Sequence, residues 1–133
     1  MRSLAREIVF KFIFSKLFNS DDEGLFNVLS KELSTDDKTF AKSILDSIDQ
    51  NQTEYLSSIE SLSIGYKLNR LINADKCALL IGIAELNVYP ETPIPVVIDE
   101  AIKLSAKYST ENSTDFVNGV LAEYARRKWW LKL

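Results

Sequence analysis

The chain has 133 residues, of which 46% are hydrophobic and 26% charged, and this composition predicts one compact globular domain rather than a disordered or fibrous protein. Histidine is absent and Cys77 is the only cysteine, which excludes disulfide frameworks, most transition-metal sites and catalysis by Ser–His or Cys–His pairs. The net charge is −3, so any surface that binds nucleic acid must be local, because nucleic-acid-binding domains are usually basic.

Apolar residues in the N-terminal half recur at steps of three and four residues, which is the pattern of amphipathic helices. A first helix is predicted over residues 3–18. A shorter helix follows the acidic stretch 20–23 and runs through residues 25–33. The stretch 34–37 predicts the start of a third helix, whose apolar phase resumes after a polar stretch and continues to residue 62. This third helix should therefore be long or bent.

The C-terminal half begins with a short predicted segment at residues 66–72. The next helix, at residues 77–88, is apolar on almost all sides, so it should lie at the centre of its bundle, with Gly82 allowing a neighbour to approach closely. Two more helices are predicted, one over residues 93–108 with prolines in its first turn and one capped by Ser113.

The predicted fold is therefore all-α, with about seven helices. The break between residues 64 and 74 predicts two small helical bundles within one domain at 1–133. These bundles are an N-terminal subdomain at 1–64 and a C-terminal subdomain at 65–133.

Nothing in the sequence predicts an enzyme, a cofactor or a metal. The four glycines are scattered, whereas phosphate-binding loops and dinucleotide sites need clustered glycines. Neighbouring acids such as Asp99 and Glu100 point to different faces of a helix and are interpreted as solvated. No apolar run approaches the roughly 18 residues needed to span a bilayer, and no signal peptide is evident, so no membrane association is expected and the cytoplasm is the expected location.

The tail at residues 126–132 concentrates four cations and two tryptophans. Its rings could stack on RNA bases or lie on a membrane surface. Alternatively, the tryptophans fold back on the bundle while the cations stay in water and favour the C-terminal end of the helix. Both interpretations are open at this point.

Two motifs in the C-terminal half resemble those of the NusB family of bacterial proteins. Residues 94–104 (IPVVIDEAIKL) are similar to a proline and a helix containing Asn-Glu-Ala, with Asp99 in place of the asparagine. Residues 113–121 (STDFVNGVL) match Ser-x-x-Phe-Val-Asn-Gly-Val-Leu at the separation typical of the family. Residues 5–7 (ARE) and 85–86 (EL) also stand where the family has similar residues, so the resemblance covers nearly the whole chain.

The resemblance implies two helical bundles and a role in transcription antitermination. NusB-like proteins pair with NusE, a ribosomal protein, and the pair recognises boxA RNA in ribosomal RNA transcripts, in a complex with other Nus factors and RNA polymerase. Single-stranded RNA is bound by cations on phosphates and by stacking on rings. The implied RNA-binding residues are Arg2, Arg6, Asn112, Thr114, Phe116 and Asn118. The implied residues of the partner surface are Phe14, Asp75 and Glu85.

Structural roles explain several of these residues as well. Core packing is an alternative role for Phe116 and Phe14, and a hydrogen bond between helices is an alternative for Asn118. Asp75 can cap the central helix, and core packing can account for Glu85.

Four positions depart from the family pattern by lacking a basic residue, namely Ser3, Leu4, Leu80 and Asp115. For single-stranded RNA, each lost phosphate contact reduces by about 0.7 the slope of the logarithm of the binding constant against the logarithm of the salt concentration. RNA binding by the chain alone is therefore expected to be weak and to be completed by the protein partner or the basic tail. One alternative is a helical protein-interaction module that has lost RNA recognition. Another is the RNA-binding domain that precedes RNA cytosine methyltransferases, although no cofactor-binding sheet follows in these 133 residues.

Overall fold

The computed structural model describes residues 2–19, 23–63, 71–110 and 112–130, which form six α-helices and no strand. The helices are α1 (Arg2–Asn19), α2 (Glu23–Leu29), α3 (Thr35–Leu62), α4 (Asn73–Val88), α5 (Ile94–Tyr108) and α6 (Ser113–Trp130). The predicted all-α fold is confirmed. Most of the additional segment predicted at 66–72 lies outside the described residues. No helix within the described ranges is long and apolar enough to cross a membrane.

The long third helix is bent, as its sequence predicts. Asn51 leaves the helical conformation, with φ −123° and ψ 20°, in the middle of α3. Its side-chain amide donates a hydrogen bond to the Ser47 carbonyl at 2.8 Å, and such a side-chain bond competes with the backbone bonds of a helix. The hydroxyls of Ser47 and Tyr55 lie 2.7 Å apart and join the two halves across the bend.

Helix α4 lies at the centre of the molecule and packs against α1, α3, α5 and α6. Twelve of its 16 residues are buried, because its sequence is apolar on almost all sides. Gly82 allows the close approach that its sequence position predicts. A Cβ atom built at Gly82 would lie only 2.7 and 2.9 Å from the two methyl groups of Leu121 in α6.

The helix starts agree with the sequence for α3 and α5. The Ser34 hydroxyl accepts a hydrogen bond from the Asp37 backbone N–H at 3.2 Å, and a proline lies in the first turn of α5. Asp75 is not a cap, because α4 begins two residues earlier. Ser113 is the first residue of α6, and its backbone N–H donates to the Thr110 hydroxyl at 3.2 Å.

Helices α1 and α5 run side by side in the same direction. Ser3 donates a hydrogen bond to Glu100 at 2.9 Å, and Glu7 accepts one from Lys107 at 2.6 Å. Helix α5 also packs against α6, whereas α1 and α6 do not touch within the described ranges. The buried apolar residues of the described ranges form one continuous core. The division into subdomains at residues 64 and 65 stays a prediction.

Candidate RNA-binding surface

Arg2 is an exposed cation at the start of α1 that is held by two aromatic rings. Its guanidinium carbon lies 4.7 Å from the centre of the Phe40 ring in α3 and 5.0 Å from that of Tyr89 after α4. A guanidinium over a ring face is attracted by the negative charge of the π system. The contacts orient Arg2 while its exposure leaves it accessible to an anion.

Arg6, one turn further along α1, is buried in an ion pair. Its Nε donates to Glu85 Oε1 at 2.7 Å and its Nη2 donates to Glu85 Oε2 at 2.6 Å, while the two side chains are 5% and 1% exposed. Glu100 lies 3.7 Å from the other guanidinium nitrogen. Burial by itself lowers the pKa of Arg6, but the hydrogen bonds and charge of Glu85 outweigh it and raise the pKa above its usual value. Arg6 therefore ties α1 to α4 and α5.

Glu100 is 15% exposed and Asp99 is 64% exposed. The interpretation of this acidic pair as solvated is therefore wrong for Glu100, whose side chain faces α1 and contacts Ser3 and Arg6.

A second polar cluster joins the middle of α1 to the end of α5. Glu7 accepts hydrogen bonds from the Lys107 ammonium and from the Tyr108 hydroxyl, and these bonds lower the pKa of Glu7. The Tyr108 ring stacks on Phe10 with a centroid distance of 4.6 Å, and Phe10 stacks in turn on Phe14 at 5.9 Å. Phe14, a predicted partner residue, is thus the outer ring of an aromatic row along α1 and α5.

The four predicted RNA-binding residues near the start of α6 do not share one face. Asn112 and Asn118 are exposed, whereas Thr114 and Phe116 are partly buried. Thr114 and Phe116 are two residues apart in a helix, so their side chains point about 200° apart. Phe116 packs partly against the core, and it also lines a surface cavity of about 420 Å³ with Gly119 and neighbouring residues.

The other two predicted partner residues are interior. Asp75 is 4% exposed and accepts a hydrogen bond from the Ser105 hydroxyl of α5 at 2.9 Å. Glu85 is held by Arg6, as described above. Both carboxylates lie on α4 and face α5 or α1, so they support the face on which Phe14 lies.

The basic tail is partly neutralised inside α6. Glu123 accepts hydrogen bonds from Arg126 at 2.5 Å and from Arg127 at 3.0 Å, and these bonds lower the pKa of Glu123 to about 2. Lys128 donates to the side chain of Asn87 in α4. The tryptophan side chains and residues 131–133 lie outside the described part of the chain. The two interpretations of the tail therefore stay predictions.

Sequence reasoning missed the residues that hold the predicted site residues in place. Phe40 and Tyr89 support Arg2, and Glu100 and Tyr108 bind α1. The helical spacing of Phe40 and Tyr108 identifies these residues only as members of apolar stripes. No local sequence pattern shows which cation lies above a ring. The pairing of Arg6 with Glu85 spans 79 positions.

Comparison with known proteins places these features in a family. Residues 3–126 match the profile of the NusB family. The transcription antitermination protein NusB of Acetivibrio thermocellus is 32% identical over 130 residues, which cover 96% of this chain and 90% of that protein. That of Pseudothermotoga lettingae is 34% identical over 131 residues, which cover 94% of this chain and 91% of that protein.

Solved structures agree with the sequence comparison. NusB of T. maritima superposes with a TM-score of 0.89 at 30% identity, over 100% of this chain and 98% of that chain. A crystal structure of the antitermination factors NusB and NusE in complex with double-stranded RNA contains a chain that superposes with a TM-score of 0.83 at 27% identity, over 95% of this chain and 96% of that chain. The chain described here belongs to the NusB family.

Proposed function

We propose that this protein is a transcription antitermination factor that binds boxA-type single-stranded RNA together with NusE, in a cytoplasmic complex with other Nus factors and RNA polymerase, and that it has no catalytic activity. The observation that carries the proposal is the likeness, over nearly the whole chain, to a chain of the complex of NusB and NusE with double-stranded RNA. The exposed Arg2 at the start of α1 supports it, because a cation held over rings but open to solvent suits a phosphate.

The proposed RNA surface has two separate parts, the start of α1 and the start of α6, which a single strand of RNA bridges. Arg2 supplies the cation at the first part, and Phe116 supplies a ring at the second, where Asn112, Thr114 and Asn118 offer polar groups on other faces of the helix start. Arg6 contributes by holding the first turns of α1 against α4 and α5, since its guanidinium is occupied by Glu85. It is therefore proposed as a positioning residue rather than a direct phosphate ligand.

The proposed NusE surface is the face shared by α1, α4 and α5. Phe14 stands at the outer end of the aromatic row on this face, while Asp75 and Glu85 lie beneath it and fix the helices that form it. A half-buried ring supported by a rigid layer is the kind of anchor that a protein partner uses.

Titration of labelled boxA-like RNA, with and without NusE and at several salt concentrations, tests the proposal. Arg2→Gln should flatten the salt dependence by about 0.7, the value for one phosphate contact. Phe116→Leu should weaken binding by roughly 5- to 150-fold if a base stacks on the ring. Lys103→Gln is the matched control, because this exposed lysine pairs with Asp99 on α5, outside the proposed surface.

Two outcomes would overturn parts of the proposal. If NusE binds the protein but the mixture holds RNA no better than NusE alone, the protein is an interaction module without RNA recognition. If Arg2→Gln and Lys103→Gln have equal effects on the salt dependence, Arg2 does not contact a phosphate.

A further inference from the structure

A groove between α1, α2 and α3, here called the lysine groove, has a volume of about 830 Å³. Its cations are Lys16, Lys31, Lys38 and Lys42. All four are exposed, and none forms an ion pair with any residue in the described ranges. Two carboxylates, Asp46 and Asp49, also line the groove. The groove thus holds two positive charges in excess, on a chain whose net charge is −3.

Lysines gathered from different elements repel one another unless an anion lies between them. Lys38 and Lys42 are one turn apart on the same face of α3, where like charges are destabilising. Lys31 follows α2, and Lys16 lies near the end of α1. Since no acidic side chain in the described ranges pairs with these four, the groove is suited to an anionic ligand from outside the chain.

Aromatic rings form part of the lining. Phe12 and Phe26 meet edge to face with a centroid distance of 5.7 Å, and both are partly exposed. The Lys16 ammonium lies 4.9 Å from the centre of the Phe12 ring. Cations beside accessible rings are the combination that binds single-stranded nucleic acid, because phosphates pair with the cations and bases stack on the rings. An acidic peptide would use the lysines but has no bases for the rings.

The groove reaches the turn of α3 against which Arg2 rests, and it does not cross the proposed NusE surface. Lys38 and Phe40, whose ring supports Arg2, are two residues apart in α3, so the groove and Arg2 lie on different sides of the same helical turn. Phe12, which lines the groove, and Phe14, on the NusE face, are two residues apart in α1 and therefore point about 200° apart. From Lys38 to Asp49 the groove follows α3 for about 16 Å, at 1.5 Å per residue.

We propose that the lysine groove is a second RNA-binding site, which takes single-stranded nucleotides flanking the segment bound at Arg2 and α6. This inference rests on the proposed function, since it needs an RNA already held at the first site. The four lysines replace part of the positive charge that Ser3, Leu4, Leu80 and Asp115 do not supply. The protein then binds a longer stretch of transcript than the first site alone can hold.

The test uses the full chain with NusE and two labelled RNAs, a short boxA-like RNA and the same RNA extended by single-stranded nucleotides on both sides. For the extended RNA, Lys38→Gln with Lys42→Gln should flatten the salt dependence by about 1.4, because two phosphate contacts are lost. The short RNA should be unaffected. Phe26→Leu, which keeps an apolar side chain, should weaken binding of the extended RNA alone by roughly 5- to 150-fold.

Two further variants serve as controls. Lys11→Gln with Lys103→Gln removes two exposed cations outside the groove and should change the binding of neither RNA. Asp46→Asn with Asp49→Asn removes the two carboxylates of the groove and should strengthen binding of the extended RNA. Circular dichroism confirms that each variant is folded, as expected for exposed side chains.

The outcomes separate the groove from the first site. Equal salt dependences of the lysine variant and the unchanged protein on the extended RNA would overturn the groove site alone. Failure of the unchanged protein to add to the binding of either RNA would overturn both the groove site and the proposed function. Loss of binding to polyglutamate but not to RNA in the lysine variant would assign the groove to an acidic protein and overturn the RNA assignment.

Discussion

Replacing Arg6 by alanine should strongly destabilise the protein, because it leaves the Glu85 carboxylate buried without a counter-charge. Glu85 is 1% exposed and loses both hydrogen bonds from the guanidinium, at 2.6 and 2.7 Å. Removing one partner of a buried ion pair costs about 3–5 kcal/mol in the free energy of unfolding. Domains of this size are stable by about 5–15 kcal/mol, so the loss is a large fraction of the total.

Replacing both partners should cost much less than replacing one. Arg6→Met with Glu85→Leu removes both charges and fills the space with apolar side chains of similar length, a change that is often neutral or stabilising. Urea denaturation followed by circular dichroism measures the free energy of unfolding of the two single variants and the double variant. The resulting cycle isolates the coupling between the two residues. Arg126→Ala is the control, and should have little effect because its ion pair with Glu123 is exposed.

Two results would refute the reasoning about Arg6. A loss below about 1 kcal/mol for Arg6→Ala would show that the ion pair is not the buried interaction that its geometry indicates. The second result comes from measuring the RNA affinity of the variant that carries both Arg6→Met and Glu85→Leu. If Arg6 acts by positioning α1, the stable double variant should retain most of its RNA affinity, whereas a full loss of affinity would show that Arg6 contacts RNA directly.

Three further predictions concern stability and reactivity. Gly82→Ala should lower the free energy of unfolding, measured in urea, by about 1 kcal/mol, because overpacking against α6 outweighs the gain in helix propensity. A Cβ atom at Gly119 meets no atom within 4 Å, so Gly119→Ala should raise the free energy of unfolding by up to about 1 kcal/mol. The hydrogen bond from Lys107 lowers the pKa of Glu7, so its stabilising contribution should be complete above the ordinary value of 4.5 and be lost as the pH falls through the lower, folded-state pKa. Melting temperatures of the unchanged protein and of Glu7→Gln should therefore converge in acid, and a constant difference at all pH values would contradict this. Burial raises the pKa of Cys77 to about 12, so iodoacetamide should alkylate it at neutral pH only after denaturation, and rapid labelling of the native protein would contradict this.

Local sequence patterns predicted the helices because a helix is stabilised mainly by contacts within a few residues and by one apolar face. The bend in α3 and the Ser34 cap follow from residues within a few positions of one another, whereas the close approach that Gly82 allows is made by Leu121 of another helix. The family resemblance followed from the motif at residues 113–121, whose match is unbroken from Phe116 to Leu121. The Asp75 cap was wrong because α4 begins at Asn73 and the Asp75 carboxylate accepts a hydrogen bond from Ser105 of α5.

The sequence by itself thus determined the helical class, the central position of α4 and the family. The tertiary structure alone decided which charges are available to a ligand, since it pairs Arg6 with Glu85 across 79 positions and leaves Arg2 exposed over two rings. It also gathered Lys16 of α1, Lys31 after α2, and Lys38 and Lys42 of α3 into one groove. The physical reason is that burial and ion pairing depend on distances between helices, whereas helical periodicity records only which residues share a face of the same helix.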